Sequence, residues 1–594
     1  MNEERRKRGF AYSKTLMTAA ICALFLGGGS VMAHAAAAPV AQEQQGTTNG
    51  TITDVSGKAA LNVKKGATLQ VSFVGFKTQE VKAQGSLRVV LRDDNELLDE
   101  VVVVGYRTQK KANLTGAVST VDVSKTMEGR PQTDVMKALQ GAVPGLTITN
   151  NSGDINGSAS IEIRGVGSIN GTLKPLYIVD GVSMSDISFL NPEDIEDISV
   201  LKDAASASIY GSRAAGGVIM LKTKTAKTQD RVSIKYSNNF SWSNATYLPD
   251  YGTVPSQIQA LSQANKRAGL ANELFGMYLD TMLPYAEAWE QQNGGKKAGY
   301  REMRPFKSMS DVGDYYVNPD GSGAMYYANW DVQDIMFQTA PSQTHNLSVS
   351  GSTGKANYYL AFGYSEKEGQ MNFNPDKLQR YNVNANFNVA LTNWLETGFR
   401  FNFVNKTYDM PNRWRNTYTY MWRWGSFFGP YGYMLDANGT PVDGVNGIAY
   451  QKQAGNDHDV TSFTRINSYI KAKILDGLTF QADFTYDLTN RNNEYAYIPV
   501  YVFNTWGGNI SAPYYGVSQS ATYQTQTNTK VGRWTTNIFG SYEKTFNEDH
   551  NMKVMAGFTA DKEQNRYFSA KRTALNDNDL PELNLATGTQ TVTS

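Results

Sequence analysis

Cysteine is almost absent from this chain: Cys22 is the only one in 594 residues, and it lies inside an N-terminal apolar stretch. Disulfides and thiol chemistry are thereby excluded from the rest of the sequence. Histidine is nearly as scarce. Outside the N-terminal segment only His345, His458 and His550 remain, scattered and without a second ligand at metal-site spacing, so no metal site is expected. An excess of one charge is missing too, with 56 Lys+Arg against 55 Asp+Glu, a balance that argues against nucleic acid as a partner. After the N-terminal segment no apolar run reaches the roughly 20 residues that a spanning helix needs.

Motifs for catalysis and cofactors are also lacking. Gly165-x-Gly167 begins like a dinucleotide fingerprint, but Asn170 stands where the third glycine belongs. Gly351 to Lys355 (GSTGK) lacks the phosphate-loop spacing and is followed by Ala356 rather than Ser or Thr, so it reads as a hairpin turn. Asp457-His458-Asp459, preceded by Gly455-Asn456, reads as a solvated loop. No Ser-His-acid set or carboxylate pair stands out, so neither an enzyme nor a cofactor is expected.

What is present begins with an export signal over residues 1–35. Arg5-Arg6-Lys7-Arg8 and Lys14 form a basic region, Thr15 to Leu26 an apolar one, and Ala33-His34-Ala35 a cleavage site. Cleavage there lowers the formal charge from +1 to −2. Residues 46–98 read as a small β unit, with strand-like pieces at Leu61–Val63, Thr68–Phe73, Phe76–Val81 and Leu87–Leu91. Then comes Leu97 to Tyr106 (LLDEVVVVGY), whose four valines favour an extended chain. It is either the last strand of that small unit or an edge on which another protein can add a strand.

Residues 107–225 read as a compact mixed α/β domain. Thr133 to Leu139 is a short helix, Leu176 to Val179 a strand ended by Asp180-Gly181, and Asn191-Pro192-Glu193-Asp194 a capped helix start. Ile195, Ile198 and Val200 lead through a strand to an Ala-rich helix at 204–210, and Gly216-Gly217 turn into Val218–Lys222. From about residue 230 the hydrophobic period becomes two. Val232, Ile234, Tyr236, Phe240 and Trp242 share a face, as do Tyr358, Leu360, Phe362 and Tyr364. In Tyr381 to Leu391 the apolar face lies opposite Asn382, Asn384, Asn386 and Asn388, which suggests a watery lumen behind a greasy exterior. Leu395 to Phe403 and Leu478 to Leu488 repeat the pattern. Short turns (351–354, 392–393) alternate with long irregular insertions (243–343, 405–460, 503–530), the asymmetry of an outer-membrane barrel.

Several strings then converge: ALQGAVPGL from Ala138, IRG from Ile163, YIVDGV from Tyr177, and LNPEDIEDISVLKDAASASIYGSRAAGGVIMLKT from Leu190. With the valine run before them, and with NWD at Asn329 and NLSVSG at Asn346 after them, the chain resembles the SusC/RagA-type TonB-dependent outer-membrane transporters. The resemblance implies a mainly β protein: a transmembrane antiparallel β-barrel (230–594), an α/β plug domain (107–225), and a partial carboxypeptidase-regulatory-like β extension (46–98). It implies that Asp99, Glu100, Val101, Val102, Val103, Val104, Gly105 and Tyr106 form the TonB box. The implied partners are TonB of the TonB-ExbB-ExbD complex, a SusD-like surface lipoprotein, outer-membrane lipid, and a glycan or peptide cargo.

Arg164, Asp180 and Arg213 are candidates for plug–barrel contacts, and Trp414, Tyr418, Tyr420, Trp422 and Trp424 either for stacking on a substrate or for an aromatic girdle, a loop core or the lipoprotein contact. The family barrel has about 22 strands, whereas about ten or eleven candidates precede Ser594, so a C-terminally truncated barrel is expected. An adhesin or structural barrel without energised transport is the competing reading. It has no need of the valine run or the plug strings.

Overall fold

The computed structural model describes residues 41–594 apart from 45–49, 53–59, 73–78, 85, 88, 90–100, 105–106, 111–117, 124–133, 150–153, 158, 166–172, 227–230, 249–251, 275–276, 321–322, 413–430, 445–446, 505–508, 512–518 and 547–549. The signal segment, the acidic and tyrosyl flanks of the valine run, and all five candidate substrate aromatics therefore lie outside the described residues. The chain divides into two compact units, Met1–Val101 with Lys110–Ala112, and Val102–Gln109 with Asn113–Ser594.

In the first unit Ala41–Gln44 pairs with both Gly50–Ile52 and Thr68–Ser72, and the last of these with Gln79–Lys82. Leu69 and Val71 alternate onto its buried side. A strand at 41–44 places ordered structure ahead of the expected start at residue 46, while Leu61–Val63 is not a strand. The low polarity contrast of the AQEQ string explains why period-two reading passes over it.

The second unit contains a small α/β domain and a large sheet. The small domain has a five-stranded sheet in the order Val182–Met184, Leu176–Val179, Val218–Thr223, Ile195–Leu201, Val118–Asp122. The Asp180-Gly181 turn has φ of 49° and 86°, the left-handed pair that closes a two-residue hairpin. The helix expected over 133–139 is a single turn, Val135–Ala138, capped by Asp134, and Asn191 caps one 3-10 turn, Pro192–Asp194. Ile198, Val200, Ile219 and Leu221 are buried in the core of this domain.

The large sheet is a wall of ten strands in chain order: Ser233–Ser243, Ala340–Ser352, Ala356–Glu368, Lys377–Ala390, Leu395–Pro411, Asn456–Leu475, Leu478–Tyr497, Tyr523–Phe546, His550–Thr573 and Gln590–Thr593. Every neighbouring pair is antiparallel. The register aligns the apolar side chains into rows. One row runs Ile234, Val349, Leu360, Ala385, Phe401, Ile466, Tyr486, Trp534 across successive strands, all on the outer face. A one-residue slip anywhere would send that row inward, so the alternation fixes the register. No helix among the described residues is long and apolar enough to cross a membrane, and this sheet is of the β-barrel type. The Asp457-His458-Asp459 string lies in the strand Asn456–Leu475, not in a loop; Asp459 accepts from Arg491 and Asp457 from Asn493 on the next strand. Glycine ahead of it hid the strand start.

Tight turns gather at one end of the wall and long connections at the other. The connection 244–339 is not irregular. It carries the helices Val254–Ala268 and Leu279–Gln292 around a core that includes Ile258, Met282, Trp289 and Tyr327. At its centre the Asp314 side chain, fully buried, accepts from Trp289 Nε1 at 2.9 Å, from both Arg301 Nη atoms at 2.6 and 2.8 Å, and from the Arg304 amide at 2.7 Å. Gly313 beside it has φ +64°, and a Cβ there would lie 2.3 Å from the Pro305 carbonyl oxygen. Burial alone would raise the Asp314 carboxyl, but the hydrogen bonds from Arg301, Arg304 and Trp289 outweigh it and hold the group below the ordinary aspartate range. Its stabilisation is present above about pH 4 and is lost as pH falls below that value. Asp314→Ala should destabilise this segment by on the order of 3 kcal/mol. Hydrogen exchange on the full chain should then show residues 254–336 opening while the wall strands stay protected; unchanged protection of 254–336 would refute the assignment.

Candidate functional site

The asparagine face of Lys377–Ala390 is buried, and what covers it is the small α/β domain. Asn386 Nδ2 donates to the Lys224 carbonyl at 2.8 Å and to Thr223 Oγ1 at 3.1 Å. Asn382 Nδ2 approaches Asp194 Oδ2 at 3.5 Å. On the neighbouring strand the Tyr359 hydroxyl donates to Asp194 Oδ1 at 2.9 Å, and one strand further Asn346 Oδ1 accepts from Asn191 Nδ2 at 2.8 Å. Asn191 thus does two jobs, capping its 3-10 turn and reaching the wall. The watery lumen read from the sequence is, along this row, a polar seam filled by protein.

Three arginines of the wall extend the seam. Arg380 Nη1 donates to the Ser188 carbonyl at 3.3 Å. Arg465 holds Asp487 through Nε and Nη2, both at 2.6 Å, and reaches the Ser183 carbonyl at 3.3 Å. Arg533 donates to Ser183 Oγ at 2.7 Å and to Asp561 at 3.1 Å. Apolar contact is slight by comparison: Phe189 stacks on Phe463 with centroids 5.1 Å apart, and Val404 and Phe463 are the wall side chains that enter the small domain's core. Asn384 Nδ2, Arg400 Nε and Asn402 Oδ1 have no protein partner and belong to residues lining a cavity of about 30 Å³ in the seam, which is room for a water molecule. Hydrogen bonds of the seam that part can be replaced by bonds to water, so each neutral one costs only about 1 kcal/mol to exchange.

The three sequence candidates for plug–barrel contact end up in different places. Arg213 Nη1 lies 2.9 Å from Asp561 on the wall, with half of its side chain exposed. Asp180 turns inward within the small domain, accepting from the Thr223 amide at 2.9 Å and its hydroxyl at 2.7 Å, and so orients the hydroxyl that Asn386 meets. Arg164 is exposed at φ 61°. Sequence reasoning missed Asn191, Asp194, Arg380, Arg465 and Arg533. Period two alone places Arg380, Arg465 and Arg533 on the inward face, and that was the available signal.

Upstream, Val101–Val104 is a strand in a two-stranded sheet with Arg107–Lys110. Beyond it, Val118–Asp122 is, among the described residues, an edge strand of the small domain, paired with Ile195–Leu201.

Comparison with known proteins follows the same division. Residues 110–218 match the TonB-dependent Receptor Plug Domain family, and residues 34–103 the CarboxypepD_reg-like domain family. The chain is 31% identical over 382 residues to the TonB-dependent receptor SusC of Bacteroides thetaiotaomicron, covering 63% of this chain and 32% of that protein. It is 28% identical over 572 residues to the TonB-dependent receptor P39 of Formosa agariphila, covering 93% of this chain and 48% of that one. The chain thus spans half or less of the length of these relatives. The RagAB peptide importer in its open-open state has the same fold, with a TM-score of 0.62 at 24% identity, over 83% of this chain and 53% of that one.

The seam carries a pH signature. Burial pushes the Asp194 carboxyl up to about 6, against the opposing pull of the Tyr359 hydroxyl and Lys224. The docked state therefore holds a proton where the free carboxyl has lost it, so seam stability falls as pH rises from about 4 through 6, by roughly 3 kcal/mol over the whole range. Hydrogen exchange in residues 182–201, corrected for intrinsic rate, should show less protection at about pH 7.5 than at about pH 5. Asp194→Asn, neutral at both, should abolish the difference; a wild type equally protected at both values contradicts the assignment.

Proposed function

We propose that this chain, similar to SusC/RagA-type TonB-dependent receptors in its plug and extension domains and in its relatives, serves in energised import of an oligosaccharide or peptide across the outer membrane. In this reading TonB adds a strand to Val101–Val104, within the box 99–106, and a SusD-like lipoprotein closes over the cargo at the loop end of the wall. Val101–Val104 suits that use because strand addition relies on main-chain hydrogen bonds, which share a pulling load and need no particular side chains.

The observation that carries the proposal is the route the pull would take. Val118–Asp122 follows the valine strand in the chain and, among the described residues, pairs with one strand of the plug, with Val118 opposite Leu201 and Asp122 opposite Asp197. Tension from upstream loads the Val118 end first and peels toward Asp197. That neighbour, Ile195–Leu201, begins directly after Asp194, whose carboxylate meets Tyr359 and Asn382 of the wall. Force entering at the valines would therefore reach a strand that is anchored in the plug core through Ile198 and Val200 and joined at its start to the polar seam through Asp194. Opening a path there requires exchange of hydrogen bonds for water, which is the kind of rearrangement a modest mechanical input drives.

The adhesin reading gives the valine strand no role, so deleting 99–106 separates the two. The deletion should leave outer-membrane abundance and cargo binding intact while lowering uptake at least about tenfold, toward the level of a strain lacking TonB. Undiminished uptake by a normally abundant deletion variant would refute energised import through this segment.

A further inference from the structure

The outer row of the wall that runs from Ile234 to Trp534 ends on a charge. Trp534 stands opposite Lys562 in register, so the two side chains share the outer face. Two same-face positions nearer the loop end, Lys530 stands opposite Arg566. All three cations are exposed. The alternation that turns Arg533 and Asp561 inward, where they meet each other and Arg213, turns Lys530, Lys562 and Arg566 outward. The side chains that border them across the sheet are Asn490, Leu488, Tyr486 and Gln564, none of them acidic. Lys377, elsewhere on the outer face, is by contrast held by Glu366 at 3.0 Å.

Like charges directly opposite one another on neighbouring strands repel and weaken a sheet, so an anion between Lys530 and Arg566 would stabilise the wall. Their position says where it would come from. Lys562 is the first outward residue beyond Phe558 and Ala560, and Lys530 the first beyond Trp534 and Gly532. The cations therefore sit where the apolar outer stretch of each strand ends. Trp534 and Phe558 are 43% and 63% exposed. Gly532 presents no side chain, which leaves the surface between Lys530 and Trp534 open. A single lysine at such a boundary simply extends its head into water. Here two cations face each other and a third flanks exposed hydrocarbon, which matches both halves of a lipid, phosphate and acyl chain.

We propose that Lys530, Arg566 and Lys562 form a binding surface for the phosphate of an anionic lipid in the leaflet at the loop end. Lys530 and Arg566 clamp the phosphate from two strands, and the acyl chains run past Trp534 toward Ile538 and Phe558, which are themselves opposite in register. A free anion or an acidic peptide would use the cations and leave the hydrocarbon beside them without a function. The proposal rests on the reading of the wall as membrane-embedded. Bound phosphate replaces a repulsion between the two strands with a charge-assisted bridge.

The test is native mass spectrometry of the full chain in detergent, titrated with phosphatidic acid or phosphatidylcholine of identical acyl chains. Wild type should retain phosphatidic acid in clear preference. Lys530→Gln and Arg566→Gln should each weaken that retention about fivefold, and Lys562→Gln about twofold. Lys377→Gln, on the same face but at a lysine already paired, should leave it unchanged. Equal retention of the two lipids by wild type, retention of neither, variants at 530 and 566 that bind like wild type, or an equal loss in Lys377→Gln would each overturn the site. So would full displacement of the lipid by millimolar inorganic phosphate or by a glutamate-rich peptide, which would mark a free-anion or a protein-docking surface. In lipid-free detergent Lys530→Gln should melt no lower than wild type, because it removes a like-charge contact; a lower melting temperature would overturn the clamp. Membrane fractionation of the same wild-type protein tests the embedding separately, so failure of the lipid site and failure of the membrane reading give different results.

Discussion

The inward face of the wall is polar, and a buried polar face must find partners. Four alternate asparagines on Lys377–Ala390 and the arginines at 380, 465 and 533 present donors that no apolar filling would satisfy. The plug supplies carbonyls at Ser183, Ser188 and Lys224 and a carboxylate at Asp194. That requirement explains why the plug seats where it does, and why it is seated by hydrogen bonds rather than by a dry interface. It also explains why the cap of a single 3-10 turn, Asn191, matters beyond its own turn.

The outer face obeys the opposite rule. Its rows of Ile, Leu, Phe, Tyr and Trp cross the sheet in register, so the same alternation that hides the asparagines displays the hydrocarbon. One pattern therefore fixes register, sidedness and the location of the plug together. The loop-end segment 254–336 stands apart from this logic. It has its own apolar core, closed around the buried Asp314 carboxylate.

Much of this was legible in the residues. The strands at Leu176–Val179, Ile195–Leu201 and Val218–Thr223, the Asn191 cap and the long alternating strands all follow from local pattern. The folded segment 254–336 was not, because its helices pack through long-range contacts that no single period announces: Trp289 meets Asp314 across 25 residues. The seam was half legible. Alternation revealed which wall residues face inward, but their partners lie well over a hundred residues away, as with Asp194 and Tyr359, and separation of that kind leaves no local trace. Asp180, picked as a wall contact, bonds Thr223, whose hydroxyl in turn meets Asn386 of the wall.

Under the proposed import function, the plug has to part from the wall at this seam for cargo to pass. Asn191 and Asn346 meet across it at 2.8 Å, and the sequence has no cysteine beyond Cys22. Cysteines at both positions (Asn191→Cys with Asn346→Cys), joined by oxidation or a short bismaleimide, would pin plug to wall. With cross-linking near completion and cargo binding retained, uptake should fall at least about tenfold and return when the disulfide form is reduced. Uptake that continues at the uncross-linked rate through a fully pinned seam would contradict the account.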